Sequence, residues 1–254
     1  MVNFVGAGPG AEDLITLRGQ RLLSEADVII YAGSLVNEGL LEYKKSGCAV
    51  YNSAYMTLEE VIDVILDAEK NGLNTVRLHT GDPSIYGAIK EQMDILDKNG
   101  IEYSVCPGVS SFCAAASALK IEYTLPAVSQ TVIISRAEGR TPVPEKEDIS
   151  LLASHNATMV LFLSAGLAES VAEKLIKGGV SENTPAAVVY KASWEDEKKI
   201  VCTVGTLKES VEKAGIKNTA LIIVGNVIEG VYERSKLYDP SFTTLFRKGK
   251  EQND

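Results

Sequence analysis

The stretch His79-Thr-Gly-Asp-Pro-Ser-Ile-Tyr-Gly87 follows an apolar-rich run, Thr75 to Leu78, that reads as a strand. A strand opening into a turn rich in Gly, Asp and Pro, with helical spacing beyond it, is the repeating unit of a parallel sheet. The same plan recurs on both sides. Gly6-Ala-Gly-Pro-Gly10 follows the strand Val2 to Val5, and Pro107-Gly-Val-Ser-Ser111 follows Tyr103 to Cys106. Loops of this composition at several strand ends predict one ligand cleft at the edge of a parallel sheet, suited to a polar, nucleotide-like small molecule.

Between the loops lie helical patterns. Val28 to Tyr31 is a further apolar strand, preceded by a helix over Thr16 to Ser24. Thr57 to Asn71 carries Leu58, Val61, Ile62, Ile65 and Leu66 at helical spacing, with Thr57 and Glu60 forming a capping box and Gly72 the stop. A helix is expected over Ile85 to Lys98, with Pro83 at its first turn and Asp82 as one reading of its cap. Ser110 and Ser111 read equally as an N-cap pair for the next helix or as ligand contacts. Beyond Lys120 to Pro126 the pattern changes. Strands are predicted over Val128 to Ser135, Met159 to Leu163, Ala186 to Tyr190, Lys199 to Val204 and Leu221 to Val224, with helices over Leu167 to Lys177 and Thr206 to Lys213. Two consecutive strands around Trp194-Glu-Asp-Glu197 predict a hairpin, hence a mixed sheet in this half. The division expected is an N-terminal α/β domain over 1–122, a C-terminal one over 123–232, and a polar tail over 233–254.

The chain has 254 residues, 45% of them hydrophobic and 23% charged, enough to bury a core. Its net charge of −9 argues against nucleic acid as a partner. The four cysteines form no CxxC pair and there are only two histidines, so neither a structural zinc nor any other metal set is expected. No run of ~18 apolar residues occurs, so no spanning helix is expected. A strand beginning at Val2 leaves no space for a signal peptide, and the expected compartment is a reducing cytoplasm.

Gly6-Ala-Gly-Pro-Gly-Ala11 formally satisfies the dinucleotide fingerprint. Two features oppose that reading. Pro9 lacks the N–H a phosphate cradle needs, and the second strand ends in Tyr31-Ala-Gly33 with no acidic residue for a ribose. A tight turn without ligand, and close backbone approach to a ligand without phosphate, remain open. His79 reads as a strand-end residue rather than a base, and His155 as an exposed loop histidine.

Taken together, Gly6-x-Gly-Pro-Gly10 with Leu14-Ile-Thr16, Gly81-Asp-Pro-x-x-Tyr-Gly87 and Pro107-Gly-Val-Ser-Ser111 resemble the tetrapyrrole (corrin/porphyrin) methylase family. The likeness continues through Ala186 to Leu207, closing in Val204-Gly-Thr-Leu207, and through Thr219-Ala-Leu-Ile-Ile-Val-Gly225. Within the family, Tyr51-Asn-Ser-Ala-Tyr-Met-Thr57 and the run Ser129 to Pro142 resemble the branch that methylates precorrin-4, or its cobalt counterpart, at C11 in vitamin B12 biosynthesis. Thr80 stands where uroporphyrinogen methylases carry a glycine, which argues against that branch.

The resemblance implies two α/β domains with S-adenosylmethionine in the cleft between them, a homodimer, and an anionic tetrapyrrole as substrate. It implies cofactor contacts at Pro9, Thr80, Gly81, Asp82, Ile85, Tyr86, Ser110 and Ser111, with Leu163, Ala192 and Ala220 from the second half. Core packing is the competing reading for those last three. Methyl transfer from a sulfonium chiefly requires alignment, so no obligatory base is expected, and Asp82 and Tyr86 are the candidates for polar tuning. Arg136, Arg140 and Lys146 read as a basic patch for the ring's carboxylates, or as solvated loop charges. Competing functions are a methylase of the same family acting at C20, C17 or C2/C7, on diphthine or on ribosomal RNA, an NAD(P)-dependent oxidoreductase, and a non-catalytic tetrapyrrole carrier.

Overall fold

A computed structural model describes residues 1–250. The chain forms two compact units, one comprising Met1–Ala118 with Lys191–Lys198, the other Leu119–Tyr190 with the chain from Lys199 on.

The first unit holds strands β1 (Val2–Gly6), β2 (Val28–Tyr31), β3 (Ala49–Asn52), β4 (Thr75–His79) and β5 (Tyr103–Cys106). They form one sheet in the order β3-β2-β4-β1-β5, and every pair is parallel. Strands β1, β2 and β4 are buried along their whole length; β2 reads as an unbroken apolar run, whereas β4 also buries Thr75, Arg77 and His79. Alternation along each strand splits the side chains between two cores. Val5, Ile29, Tyr31, Val76 and Leu78 pack with Leu23 of α1 (Leu17–Glu25) on one face. Val2, Phe4, Val28 and Ile30 pack on the other with Ile62 and Ile65 of α2 (Leu58–Lys70) and Leu96 of α3 (Lys90–Lys98). A fourth helix, α4 (Ser111–Leu119), starts immediately beyond the third glycine-bearing loop. The capping box of α2 is formed as the sequence predicts: Thr57 Oγ1 accepts from Glu60 N–H at 3.3 Å and Glu60 Oε2 accepts from Thr57 N–H at 2.7 Å. Strand β3 escaped the sequence reading because it is an edge strand whose side chains are mostly exposed.

One expected helix is shorter than its pattern. Apolar spacing suggested a start at Ile85, yet α3 begins at Lys90. Tyr86 at φ 55° and Ala88 at φ 50° are left-handed and break the helical path. Gly87 folds so tightly back on the turn that a Cβ there would sit 2.1 Å from Pro83 O. Asp82 and Pro83 therefore shape an extended loop rather than opening a helix.

The second unit holds β6 (Val132–Arg136), α5 (Ile149–Ala153), β7 (Thr158–Phe162), α6 (Ala168–Lys177), β8 (Pro185–Tyr190), β9 (Lys198–Thr203), α7 (Leu207–Ala214) and β10 (Ala220–Val224). The sheet order is β6-β7-β10-β8-β9, with β6 parallel to β7 and β10 antiparallel to both β7 and β8. It is mixed, as the hairpin pattern predicted. Its core gathers Met159, Leu161, Val188 and Ile222 from the strands with Ile149, Val171, Leu175 and Val211 from the helices. Among the described residues no helix is long and apolar enough to cross a membrane.

Candidate functional site

Parallel pairing brings the carboxyl ends of β4, β1 and β5 side by side, because Gly6 lies opposite His79 and Val5 opposite Cys106. The loops leaving these ends interlock through backbone. Ala7 N–H donates to His79 O at 2.7 Å, Gly8 N–H to Gly81 O at 3.2 Å, and Gly81 N–H to Gly8 O at 2.8 Å. A Cβ on Gly6 would lie 2.6 Å from Gly108 Cα, and one on Gly108 would lie 2.2 Å from Gly81 O. The glycines at 6 and 108 thus serve loop-on-loop packing.

Asp82 joins two of the loops. Its Oδ2 accepts from Gly108 N–H at 2.9 Å, while Oδ1 accepts from Ser84 N–H at 2.9 Å and from the Ser84 hydroxyl. Partial burial by itself raises the Asp82 pKa, but the Ser84 hydroxyl and the Gly108 and Ser84 amides outweigh it, and the carboxyl titrates below its ordinary value. Asp82 is ionised at neutral pH. Around it, Pro9 and Ser110 are buried, Ile85 and Ser111 are half-buried, and Thr80 and Tyr86 are exposed. Ala192 belongs to the same unit, buried between left-handed Lys191 and Ser193. The structure therefore gathers Pro9, Thr80, Gly81, Asp82, Ile85, Tyr86, Ser110, Ser111 and Ala192 into one unit. Ser84 was not singled out in the sequence, and Gly108 was read only as part of Pro107-Gly-Val-Ser-Ser111, because neither a serine in a turn nor a glycine after proline signals a bond to a remote carboxylate.

His79 has its Nε2 buried without a partner, and burial, helped by the Arg77 charge, pushes its pKa down to about 3. It is the neutral imidazole at physiological pH and carries no imidazolium charge. Arg77, buried two residues earlier, donates to Ile30 O at 3.0 Å, Ser53 Oγ at 2.9 Å and Gln92 Oε1 at 3.2 Å. Its own pKa falls to about 10 through burial.

In the second unit, Arg136 pairs with Phe162 across β6 and β7, Leu161 with Ile222, and Tyr190 with Ala220. Arg136, Leu163 and Ala220 therefore share one end of that sheet. Leu163, just past β7, is 69% exposed with φ 54°, which removes the core-packing reading for it. Ala220 is buried at the start of β10 and follows left-handed Thr219. Arg136 does not present its charge freely: it donates to Thr141 O at 3.1 Å and to Pro142 O at 2.6 Å, pinning its own loop. Arg140 and Lys146 are exposed, Lys146 in a short turn between Glu145 and Glu147. No cluster of three potential metal ligands occurs among the described residues.

The profile of the Tetrapyrrole (Corrin/Porphyrin) Methylases matches residues 1–208. The chain is a tetrapyrrole methylase. It is 57% identical over 252 residues to the cobalt-precorrin-4 C(11)-methyltransferase of Methanocaldococcus jannaschii, covering 99% of this chain and 97% of that protein. The X-ray structure of a cobalamin biosynthetic enzyme, cobalt precorrin-4 methyltransferase, superposes with a TM-score of 0.88 at 47% identity, over 90% of this chain and 95% of that one. The uroporphyrin-III C-methyl transferase of Thermus thermophilus complexed with S-adenyl homocysteine gives a TM-score of 0.76 at 28% identity, over 90% and 93% respectively. This tetrapyrrole methylase thus shares its fold with both, and its sequence far more with the first two.

Proposed function

We propose that this methylase is a cobalt-precorrin-4 C(11)-methyltransferase of cobalamin biosynthesis, with S-adenosylmethionine as methyl donor. The observation that carries the reading is the interlocked set of loops beyond β4, β1 and β5, in a chain 57% identical across nearly its whole length to an enzyme of that name. Two features suit the donor. A Cβ on Gly81 would lie 3.5 Å from Ser111 N and 3.6 Å from Ser110 Cα, so bare backbone faces the third loop. The ionised Asp82 among these loops suits a sulfonium cation.

S-adenosylmethionine supplies the electrophilic methyl, which passes to a ring carbon as the carbon–sulfur bond breaks and a neutral thioether leaves. The chain's part is positional. Pro9, Thr80 to Asp82, Ile85, Tyr86, Ser110, Ser111 and Ala192 are proposed to hold the donor, on loops whose backbone groups are already satisfied by one another. The positive charge that leaves sulfur is taken up by the conjugated ring and lost as a proton to solvent, so no side chain is asked to act as base, and buried His79, its pKa pushed down to about 3, is too weakly basic to serve as one. Arg140 is proposed to meet substrate carboxylates, and a homodimer is inferred from the family resemblance, to be read by sedimentation velocity.

The dinucleotide reading weakens on the same geometry. Gly8 and Ala11 spend their N–H groups on Gly81 O and Ser193 Oγ, Pro9 has none, and α1 starts only at Leu17. The test is incubation with S-adenosylmethionine and either cobalt-precorrin-4 or metal-free precorrin-4, followed by NMR location of the new methyl. Methylation at C11, faster with cobalt present, is expected. A methyl at C20, C17 or C2/C7 would hand the reading to a sibling activity, and no release of S-adenosylhomocysteine would hand it to a carrier.

A further inference from the structure

The first glycine loop has a partner that the motif does not announce. Trp194, the only tryptophan in the chain, donates from Nε1 to Pro9 O at 3.0 Å. Its neighbour Ser193 accepts at Oγ from Ala11 N–H at 3.0 Å. Between these two bonds lies Gly10, where a Cβ would stand 2.2 Å from Trp194 Cδ1 and 2.3 Å from Nε1. Gly10 is therefore bare because the indole occupies the space a side chain needs.

The segment that brings Trp194 there is itself well braced. Ser193 N–H donates to Glu197 Oε2 at 2.8 Å, Trp194 N–H to Lys191 O at 3.0 Å, and Glu197 N–H to Trp194 O at 3.1 Å. Lys191 Nζ pairs with Asp196 at 2.7 Å and lies 5.4 Å from the Trp194 ring centroid. Lys191 at φ 46° and Ser193 at φ 70° hold sparsely populated backbone on both sides of Ala192, a conformation that persists only where surroundings over-determine it.

We propose that Trp194 is a positioning residue: it clamps the Pro9–Ala11 turn to residues 191–198, so that Pro9 and Ala192 meet the methyl donor as parts of one rigid wall. This rests on the methyltransferase reading above and deepens it, since neither Pro9 nor Ala192 has a side chain able to make a hydrogen bond that would fix it in place. Trp194 touches the loop and acts through it.

The test uses the full chain with S-adenosylhomocysteine as probe. Trp194→Ala weakens binding by calorimetry at least about tenfold, the loss of a hydrogen bond and of ring packing together, while Trp194→Phe, which keeps most of the packing, weakens it about two- to fivefold. In turnover, KM for S-adenosylmethionine rises in the same order while KM for the tetrapyrrole stays within about twofold, a split that general destabilisation does not produce. Gly10→Ala is harmful in the wild-type background and nearly silent on top of Trp194→Ala, because the added methyl enters the space the indole leaves. Should Trp194→Ala fail to fold, the split between the two KM values in Trp194→Phe decides. Wild-type binding with unaltered affinity in the folded Trp194 variants, or additive effects at positions 10 and 194, overturns the clamp alone. No uptake of S-adenosylhomocysteine by the wild-type chain overturns the underlying functional reading instead.

Discussion

Asp82 Oδ2 accepts a hydrogen bond of 2.9 Å from the backbone N–H of Gly108, tying the loop after β4 to the loop after β5. The carboxylate's other oxygen is engaged by Ser84, so Asp82 holds a shape before it holds a ligand. Asp82→Ala leaves Gly108 N–H without its acceptor, at a cost of about 1–3 kcal/mol in stability. S-adenosylhomocysteine affinity falls with it. Asp82→Asn, which keeps an acceptor oxygen, recovers much of both. The depressed pKa makes this contribution fully present above the ordinary carboxylate range and lost only as pH drops through the lowered folded value. Activity attributable to Asp82 is therefore flat between pH 6 and 9. A kcat/KM step in that window that disappears in Asp82→Asn contradicts the assignment.

His79 should make the fold sensitive to mild acid. Its folded pKa of about 3 lies below that of an unfolded histidine, about 6.5, so the unfolded chain binds the proton more readily between those values. The stability from keeping this ring neutral is complete above about pH 6.5 and declines as pH falls toward about 3. Urea midpoints measured from pH 8 to pH 4.5 are expected to fall, and His79→Leu is expected to flatten that slope by nearly one proton. Because Nε2 has no partner, the same substitution costs little at pH 8. An undiminished slope in His79→Leu places the acid sensitivity elsewhere.

Much of this fold was readable because its strongest signals are local. Strands β1 and β2 are buried on both faces and apolar enough to be seen from composition, β4 is marked by Val76 and Leu78 before its glycine loop, and α2 carries its capping box in four residues, Thr57 to Glu60. What stayed hidden depends on partners remote in sequence. Strand β3 pairs only at an edge and needs no apolar run. The late start of α3 follows from left-handed Tyr86 and Ala88, and neither residue type advertises that conformation. At the candidate site, the glycine motif marks the correct loops, yet the reason for Gly10 lies at Trp194, far along the chain. Composition names the pieces; only register and packing say which piece each glycine is bare for.

Arg136 is expected to act through its loop rather than as a free cation. Its guanidinium spans Thr141 O and Pro142 O, a forked geometry that an ammonium cannot reproduce. Arg136→Lys thus raises KM for the tetrapyrrole several-fold despite conserving charge, whereas Arg140→Lys leaves it near wild type and Arg140→Glu raises it. S-adenosylhomocysteine affinity is unchanged in all three. Steady-state kinetics on these variants suffices, and an innocuous Arg136→Lys would show that the loop needs only the charge.

Two glycines separate conformational need from contact need. Gly100 has φ 67° with nothing within 4 Å of its Cβ direction, so Gly100→Ala meets backbone strain alone, worth about 1–2 kcal/mol. Gly108 is not left-handed, but an added Cβ would stand 2.2 Å from Gly81 O and 2.8 Å from Gly6 Cα, all of it backbone. Backbone atoms in three interlocked loops cannot swing aside as a side-chain tip does, so Gly108→Ala must part the loops. The expected result is a larger fall in thermal midpoint than for Gly100→Ala and loss of most S-adenosylhomocysteine binding, which Gly100→Ala retains. Calorimetry and thermal unfolding on the pair measure both quantities. Equal effects on binding would mean that the loops are not the donor's seat, since only one of these glycines touches them.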